Sequence, residues 1–204
     1  MNTRILAFAG NKQSGKTTCS NFMHGYQLRS HNIVSGFSIT DKGELVVATE
    51  FIDSKGEKEQ GHALLDVKRV DLEFSEWAVY NMWPYVKSYS FADPLKNIAT
   101  ELFDIKEENI RGTDIQKNAK IPITWASMPG VITCAKTAKL APIKKLIDSG
   151  KLTYHKNGKM TGREFLQFFG SEVCRRIYEE IWVSRLVKDV ESEGSLLAVI
   201  DDCR

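Results

Sequence analysis

The residues with the clearest chemical potential form one short stretch near the start of the chain. It matches the phosphate-binding pattern G-x-x-x-x-G-K-[ST] at every fixed position, followed by a second threonine. Its residues are Gly10, Asn11, Lys12, Gln13, Ser14, Gly15, Lys16, Thr17 and Thr18. The apolar run Ile5–Ala9 before it predicts a buried parallel strand, and the residues from Lys16 to about Ser30 predict a helix. A strand, this loop and a helix in that order are typical of a nucleotide phosphate site.

The residue types in this stretch suit a phosphate chain. Backbone N–H groups at a helix N-terminus attract anions, and Gly10 and Gly15 let the backbone pass close to a β-phosphate. Lys16 is predicted to bridge the β- and γ-phosphates, Thr17 to ligate Mg²⁺ and Thr18 to contact the α-phosphate. The alternative is a chance match in a flexible loop, which the predicted strand and helix on either side argue against.

Composition places few limits on the function. The chain has 204 residues, 42% of them hydrophobic, and a net charge of +2, which by itself indicates neither nucleic acid nor membrane as a partner. No apolar run reaches the length of a membrane span, and the N-terminal run is too short for a signal peptide. The four cysteines form no C-x-x-C pair, so reduced thiols in a cytoplasmic protein are expected.

Two segments after the first helix predict further architecture. Residues 34–74 alternate apolar and polar side chains between turn signals, which predicts a β-hairpin insertion of two or three strands. It could be a solvated flap, a lid or a subunit contact. Val86–Phe91 predicts a second core strand leading into a helix from Leu95, with Asp93 as its N-cap. Asp93 would also lie at the carboxyl end of a strand, where open α/β sheets bind ligands.

The central part of the chain carries a weaker pattern with two interpretable stretches. Ile143–Ile147 predicts a short helix whose lysines, Lys144 and Lys145, could steer a phosphorylated substrate or form a solvated face. Lys151–Lys159 resembles a hairpin. Thr161 and Glu164 have the spacing of a helix capping box.

Three polar residues, the first of them inside that capping box, recur at intervals of four and eight: Arg163, Gln167 and Arg175. On a continuous helix they would share one side, which suits a phosphate and a base edge, or equally an exposed polar face. The chain ends with a third apolar strand, Leu196–Ile200, running into Asp201-Asp202-Cys203-Arg204. A carboxylate after a buried strand, in a chain with a phosphate loop, is typical of a Mg²⁺ site.

These motifs occur in an order that resembles the bacteriophage deoxynucleoside monophosphate kinases, a branch of the P-loop kinases. The order is the phosphate loop, Phe91–Lys96, Thr161–Arg175, Trp182 and Ile200–Arg204. Many families share the phosphate loop, so Thr161–Arg175 and the terminal Asp-x-Arg narrow the choice. The resemblance touches both ends of the chain and covers about half of it.

The resemblance implies an α/β P-loop kinase fold, a three-layer sandwich around a parallel sheet with the β-hairpin insertion added. It implies one domain over residues 1–204, with the insertion at about 34–74 and an acceptor-binding helical region at about 94–195. The implied activity transfers the γ-phosphate of ATP, with Mg²⁺, to a deoxynucleoside monophosphate and yields the diphosphate. This would support phage-type deoxynucleotide biosynthesis in the host cytoplasm, without nucleic acid or membrane partners.

The resemblance also assigns residues to roles. Catalysis would fall to Lys16, Asp202 and Arg204, and Mg²⁺ to Thr17 and Asp202. The acceptor nucleotide would be bound by Asp93, Lys96, Arg163, Gln167 and Arg175. Phosphoryl transfer needs mainly positioning and charge neutralisation, which these residue types supply.

The sequence departs from that family in two places. The insertion has no counterpart, and the chain ends at Arg204 where related kinases continue through further strands, an arginine-bearing lid and an adenine-binding loop. The C-terminal part of the fold is therefore expected to be missing, and an exposed sheet edge would favour a homodimer. The alternatives are a kinase for another small acceptor, such as dephospho-coenzyme A, and a truncated, non-catalytic nucleotide-binding or assembly protein. The guanine-reading Asn-Lys-x-Asp stretch of GTPases is absent.

Overall fold

The computed structural model describes residues 3–11, 13–52, 56, 58–69 and 71–203, which form a mixed α/β structure. Its strands are β1 (Arg4–Ala9), β2 (Phe37–Ile39), β3 (Leu45–Ile52), β4 (Lys58–Leu64), β5 (Val86–Tyr89), β6 (Lys120–Thr124), β7 (Val131–Ile132), β8 (Thr153–Tyr154), β9 (Lys159–Thr161) and β10 (Leu197–Cys203). Its α-helices are α1 (Lys16–Ser30), α2 (Leu72–Asn81), α3 (Asp93–Glu101), α4 (Glu107–Arg111), α5 (Asp114–Lys117), α6 (Ala135–Ala138), α7 (Ala141–Asp148), α8 (Gly162–Phe168), α9 (Arg175–Ile177) and α10 (Ile181–Glu193). A 3₁₀ turn spans Trp125–Ser127 and a π-helix spans Phe169–Cys174.

The chain divides into two compact units. The first unit contains the residues up to Phe91 and those from Val183 onward, and the second unit is Ala92–Trp182. The phosphate loop and Asp202 belong to the first unit. All five residues predicted to bind the acceptor belong to the second unit.

A three-stranded parallel sheet in the order β1-β10-β5 organises the first unit. Apolar side chains of β10 alternate between its two faces, as a central strand requires. Leu197 and Val199 join a core with Leu28 of α1, while Ala198 and Ile200 join a second core with Leu186 of α10. Both faces of β10 are therefore covered by helices, which is the usual condition of a parallel strand.

The prediction that β1 is buried is wrong for one of its faces. Leu6 and Phe8 pack on the α1 side of the sheet, but Ile5, Ala7 and Ala9 are exposed. The core around α10 takes its residues from β5, β10 and α10 and none from β1. Among the described residues, β1 is an edge strand, so only one of its faces finds a partner.

The buried side of α1 combines the apolar Leu28 with polar residues. Phe22 and Tyr26 are about half exposed, whereas Ser20 and His24 are fully buried against the sheet. His24 Nδ1–H donates to the carbonyl of Ser20, and the Ser88 hydroxyl of β5 lies 3.3 Å from His24 Nε2. Because a buried polar group is costly unless it is hydrogen-bonded, these bonds are what allow a polar helix face under the sheet.

The predicted insertion contains a three-stranded antiparallel sheet in the order β2-β3-β4. Leu45 and Val47 of β3 contribute to the same core as Leu28 of α1. The turn between β2 and β3 reaches the first half of α1, where Asn21 Nδ2 donates to the carbonyl of Gly43 at 2.8 Å. This sheet is therefore packed on α1.

The second unit is built on an aromatic core around α8. Phe165 and Met160 are fully buried, and Thr161 and Glu164 form the predicted capping box. The predicted hairpin over residues 151–159 is wrong, because β8 pairs in parallel with β7 while β9 pairs antiparallel with β6. Within the described residues, no helix combines the length and apolar character needed to cross a bilayer.

The buried His24 makes the stability of the first unit depend on pH. Burial lowers its pKa from 6.5 to about 4, and the hydrogen bond to Ser20 offsets part of this effect. Because the folded pKa lies below the unfolded one, its stabilisation is complete above pH 6.5 and is lost as the pH falls towards 4. Urea unfolding of the wild type should lose about 2 kcal/mol from this group between pH 7 and pH 5.

His24→Gln should remove this part of the pH dependence, and His62→Gln, which changes an exposed histidine on β4, should retain it. Equal slopes of unfolding free energy against pH in the wild type and in His24→Gln would contradict the prediction.

Candidate phosphate-binding site

The backbone after β1 has the geometry that a phosphate loop needs. Gly10 has a φ of 154°, Gln13 of 64° and Gly15 of 82°, so the chain turns repeatedly through conformations that most residues avoid. A Cβ atom on Gly10 would lie 2.7 Å from Ser14 Oγ. The Ser14 hydroxyl could rotate away from such a Cβ, so the glycine is required mainly for its φ angle. Lys12 lies outside the described residues.

The N-terminus of α1 is left open by its own sequence. Gly15 occupies the N-cap in a left-handed conformation and provides no side chain to accept a backbone hydrogen bond. The first turn also contains no acidic residue to offset the positive end of the helix dipole. A 15-residue helix with N–H groups lacking a side-chain cap favours an anion at this end.

Lys16 folds back over the loop. Its ammonium group donates to the carbonyl of Gly10 at 2.8 Å and to that of Asn11 at 2.6 Å, and lies 3.4 Å from Ser14 Oγ. These contacts hold the positive charge against the loop backbone, next to the open helix end. Thr17 and Thr18 follow in the first turn of α1, where the Thr17 side chain is exposed.

The sheet brings two carboxylates to the same edge as this loop. Ala9, which precedes the loop, pairs with Cys203, so Asp201 and Asp202 lie at the carboxyl ends of the parallel strands. Asp202 accepts hydrogen bonds from Ser90 Oγ at 2.6 Å and from the Phe91 N–H at 3.3 Å. The half-buried Asp202 carboxylate is thereby fixed at the end of β5.

Asp201 has a different environment. Its side chain is 5% exposed and forms an ion pair with Lys68 Nζ at 2.6 Å. Lys68 was not predicted, since nothing in the local sequence marks it and it lies 133 positions away in the chain. The structure therefore places one ion-paired and one hydrogen-bonded carboxylate beside the loop. Arg204, the other predicted catalytic residue here, lies outside the described residues.

The donor set can be tested against the Mg²⁺ expected from the sequence. Among the described residues, no group of three or more His, Cys, Asp or Glu side chains could hold a metal alone. A Mg²⁺ ion bound with phosphates needs less, because it takes most ligands from water and phosphate oxygens and only one or two from protein. A threonine hydroxyl and a carboxylate at one sheet edge fit that requirement.

In the second unit, two of the predicted acceptor residues lie in contact. Lys96 Nζ donates to Asp93 Oδ1 at 2.8 Å, and Arg111 Nη1 donates to the same oxygen at 3.1 Å. Burial raises the pKa of Asp93, but the hydrogen bond and charge of Lys96, with those of Arg111, lower it below its usual range. Arg111 was not singled out in the sequence, although its spacing of four from Glu107 could have indicated an ion pair on α4.

The predicted capping role of Asp93 is wrong. Asp93 is the first residue of α3, and the N-cap position falls on Ala92, whose own backbone is helical. Among the described residues, no side chain caps α3. The Asp93 carboxylate instead pairs with Lys96 one turn along and with Arg111, because these cations compete for it more strongly than a backbone N–H.

The remaining three predicted acceptor residues lie on the helix after β9. Arg163 forms an ion pair with Asp114 of α5 at 2.7 Å. Gln167 and Arg175 are exposed, and neither makes a hydrogen bond or ion pair with any residue in the described part of the chain. Exposed ion pairs such as that of Arg163 are weak, so a dianionic phosphate could displace Asp114.

The helix that carries these residues is not a regular α-helix, and this changes their alignment. Helix α8 continues directly into the π-helix and then into α9. Over the twelve residues from Arg163 to Arg175, a regular α-helix would separate the two side chains by about 120°. A π turn contains one extra residue, which takes back about 100° of that rotation. By this geometry the three predicted residues fall close to one line of the helix surface. The expectation that a continuous regular helix would put them on one side overlooked the roughly 120° between Arg163 and Arg175.

Within the π-helix, Gly170 packs closely against two other residues. The buried indole N–H of Trp182 donates to the Gly170 carbonyl at 3.2 Å. A Cβ on Gly170 would lie 2.6 Å from Leu95 Cδ2, so α3 approaches the π-helix as closely as a glycine permits. Gly170 therefore lies at a close approach between two helical elements. Trp182, the donor of this hydrogen bond, was indicated by the sequence only through the family resemblance.

Comparison with known proteins does not assign the chain to a family. No protein-family model, curated protein or solved structure matches the chain.

Trp182→Phe tests whether the indole hydrogen bond supports the π-helix. The substitution keeps most of the packing but leaves the Gly170 carbonyl buried without its donor, at a cost of about 1–3 kcal/mol. Urea unfolding should report this loss. The matched control is Trp77→Phe, which changes a half-buried tryptophan of α2 whose indole has no described acceptor. The prediction is wrong if both substitutions cost the same.

Proposed function

We propose that the chain is an ATP-dependent kinase that transfers the γ-phosphate of ATP to a deoxynucleoside monophosphate. The observation that carries the proposal is the loop after β1, in which an open helix N-terminus and the Lys16 ammonium converge on one position. Such an arrangement favours a phosphate chain over other anions, because several N–H donors and a cation can bind successive phosphoryl groups.

In the first unit, the last residues of the loop, from Gly15 to Thr17, have distinct tasks. The N–H groups from Gly15 onward bind the β-phosphate, and Lys16 exchanges its bonds to the loop carbonyls for bonds to phosphate oxygens. When bound, Mg²⁺ supplies charge neutralisation at the β- and γ-phosphates. Thr17 and Asp202 would be its protein ligands, and Ser90 keeps the Asp202 carboxylate oriented through their 2.6 Å hydrogen bond.

In the second unit, the line of Arg163, Gln167 and Arg175 binds the acceptor. The two guanidiniums take the monophosphate, since their planar fork suits a phosphate bidentately, and the amide contacts the base. Lys96 and Arg111 keep Asp93 ionised, as the lowered pKa of its carboxyl indicates. An ionised Asp93 can accept a hydrogen bond from an acceptor hydroxyl or amino group.

The deciding experiment measures ADP release from ATP and Mg²⁺ with each of the four deoxynucleoside monophosphates. Wild-type release should depend on at least one of them, and Lys16→Ala should lower the rate about a hundredfold or more, because a preorganised charge is removed from the transferring group. The control is Lys188→Ala, which removes an exposed lysine on α10 and should leave the rate unchanged.

Two results would overturn the proposal in different ways. ATP binding without acceptor-dependent ADP release would favour a non-catalytic nucleotide-binding protein or another acceptor. Failure to bind ATP at all would show that the loop does not act as a phosphate site.

Arg175→Ala tests the acceptor assignment separately. Because Arg175 is exposed and unpaired within the described residues, its loss should not affect folding. The KM for the monophosphate should rise about tenfold or more, as expected for a lost charge-assisted hydrogen bond, and the Kd for ATP should not change. The neighbouring Arg176→Ala, which removes an arginine paired with Glu172, is the control. An unchanged KM would contradict the assignment.

A further inference from the structure

The second unit contains a pocket that the proposed kinase site does not use. It lies between α6, α7 and Tyr154 of β8, and its volume is about 530 Å³. Its apolar lining residues include Ala135, Ala138 and Ile147. A volume of this size falls in the range of small-molecule sites.

Lysines dominate the rim of this pocket. Lys139 follows α6, and Lys144 lies on α7, one turn before Ile147. Neither forms an ion pair with any described residue, and both are exposed. Residues 134–159 contain seven lysines and a single acidic residue, Asp148, so the surroundings supply almost no competing negative charge. The rim therefore favours a compact anion such as a phosphate group.

An aromatic ring and one carboxylate complete the wall. The Tyr154 side chain is 44% exposed and faces the pocket, where a planar ring can stack on it. Asp148 lies on the same wall and can accept a hydrogen bond from a ring N–H or amino group. The pocket thus combines two lysine cations, an aromatic ring for stacking, a hydrogen-bond acceptor and apolar lining residues. This combination suits a nucleobase that carries a phosphate.

We propose that this pocket binds a mononucleotide, with its base against Tyr154 and its phosphate on Lys139 and Lys144. A single strand of nucleic acid offers the same chemistry, but it needs a row of aromatic platforms along a groove. This pocket has one exposed ring and room for one nucleotide. The proposal does not depend on the kinase activity proposed above.

Two cysteines allow binding to be measured at each site separately. Cys134 immediately precedes the pocket residue Ala135 and is exposed, and hydrogen bonds from Thr137 and backbone N–H groups lower the pKa of its thiol. Cys19, also exposed, lies in the first turns of α1 after the phosphate loop. Alkylation rates of the two thiols, followed by peptide mass spectrometry, thus report the pocket and the loop independently.

The experiment measures alkylation of the full chain with iodoacetamide at increasing deoxyadenosine monophosphate, inorganic phosphate or a twelve-nucleotide DNA strand. Deoxyadenosine monophosphate should slow Cys134 alkylation at lower concentration than phosphate does. Tyr154→Ala and Lys144→Ala should each raise the half-protecting concentration at least about fivefold, as expected for lost stacking or a lost charge. Lys16→Ala and Arg175→Ala should leave the half-protecting concentration for Cys134 unchanged.

Tyr80→Ala and Lys188→Ala are the matched controls, since both remove exposed side chains of the first unit. The proposal is overturned if the mononucleotide does not protect Cys134, if the pocket variants behave like these controls, or if the DNA strand protects better than the mononucleotide. Failure of the phosphate loop to bind ATP would instead appear as unchanged Cys19 alkylation with ATP and Mg²⁺, and failure of the kinase proposal at the transfer step would appear only in the ADP-release assay.

Discussion

The parallel pairing of β10 between β1 and β5 is the constraint on which the first unit depends. Parallel strands that share a sheet end at the same edge, so the loop after β1, the carboxylates of β10 and the end of β5 must meet there. The pairing is possible because β10 buries apolar side chains on both faces, against α1 on one side and α10 on the other. The candidate site is therefore a consequence of how the core is built.

Polar contacts below the phosphate loop link α1 to this sheet. Ser20 and His24 are buried under it and bond to Ser88 of β5. Lys68 and Asp201 lie close enough to affect the pKa of His24. A buried polar cluster of this kind is favourable only when every member is paired, which fixes the helix more sharply than apolar contacts would. The helix whose N-terminus faces the loop is thus held by directional bonds.

The second unit uses a local irregularity for a similar purpose. Leu95 of α3 packs where Gly170 has no side chain, and the indole of Trp182 donates a hydrogen bond to the Gly170 carbonyl. The helix accommodates them by adopting a π turn, a form that is uncommon and is often found at functional positions. The consequence is a line of exposed polar residues that a regular helix would have twisted apart.

The sequence by itself determined what depends on near neighbours. The bounds of α1, the capping box of Thr161 and Glu164, and the glycines of the phosphate loop follow from residue types within a few positions.

The tertiary structure alone decided what depends on distant partners. It decided that α1 buries Ser20 and His24 instead of Phe22, and that Lys68 pairs with Asp201. It also decided that the strands around residues 151–159 pair with β7 and β6 instead of each other. Spacing along a chain can indicate which side chains share a face, but which face is buried depends on the element packed against it.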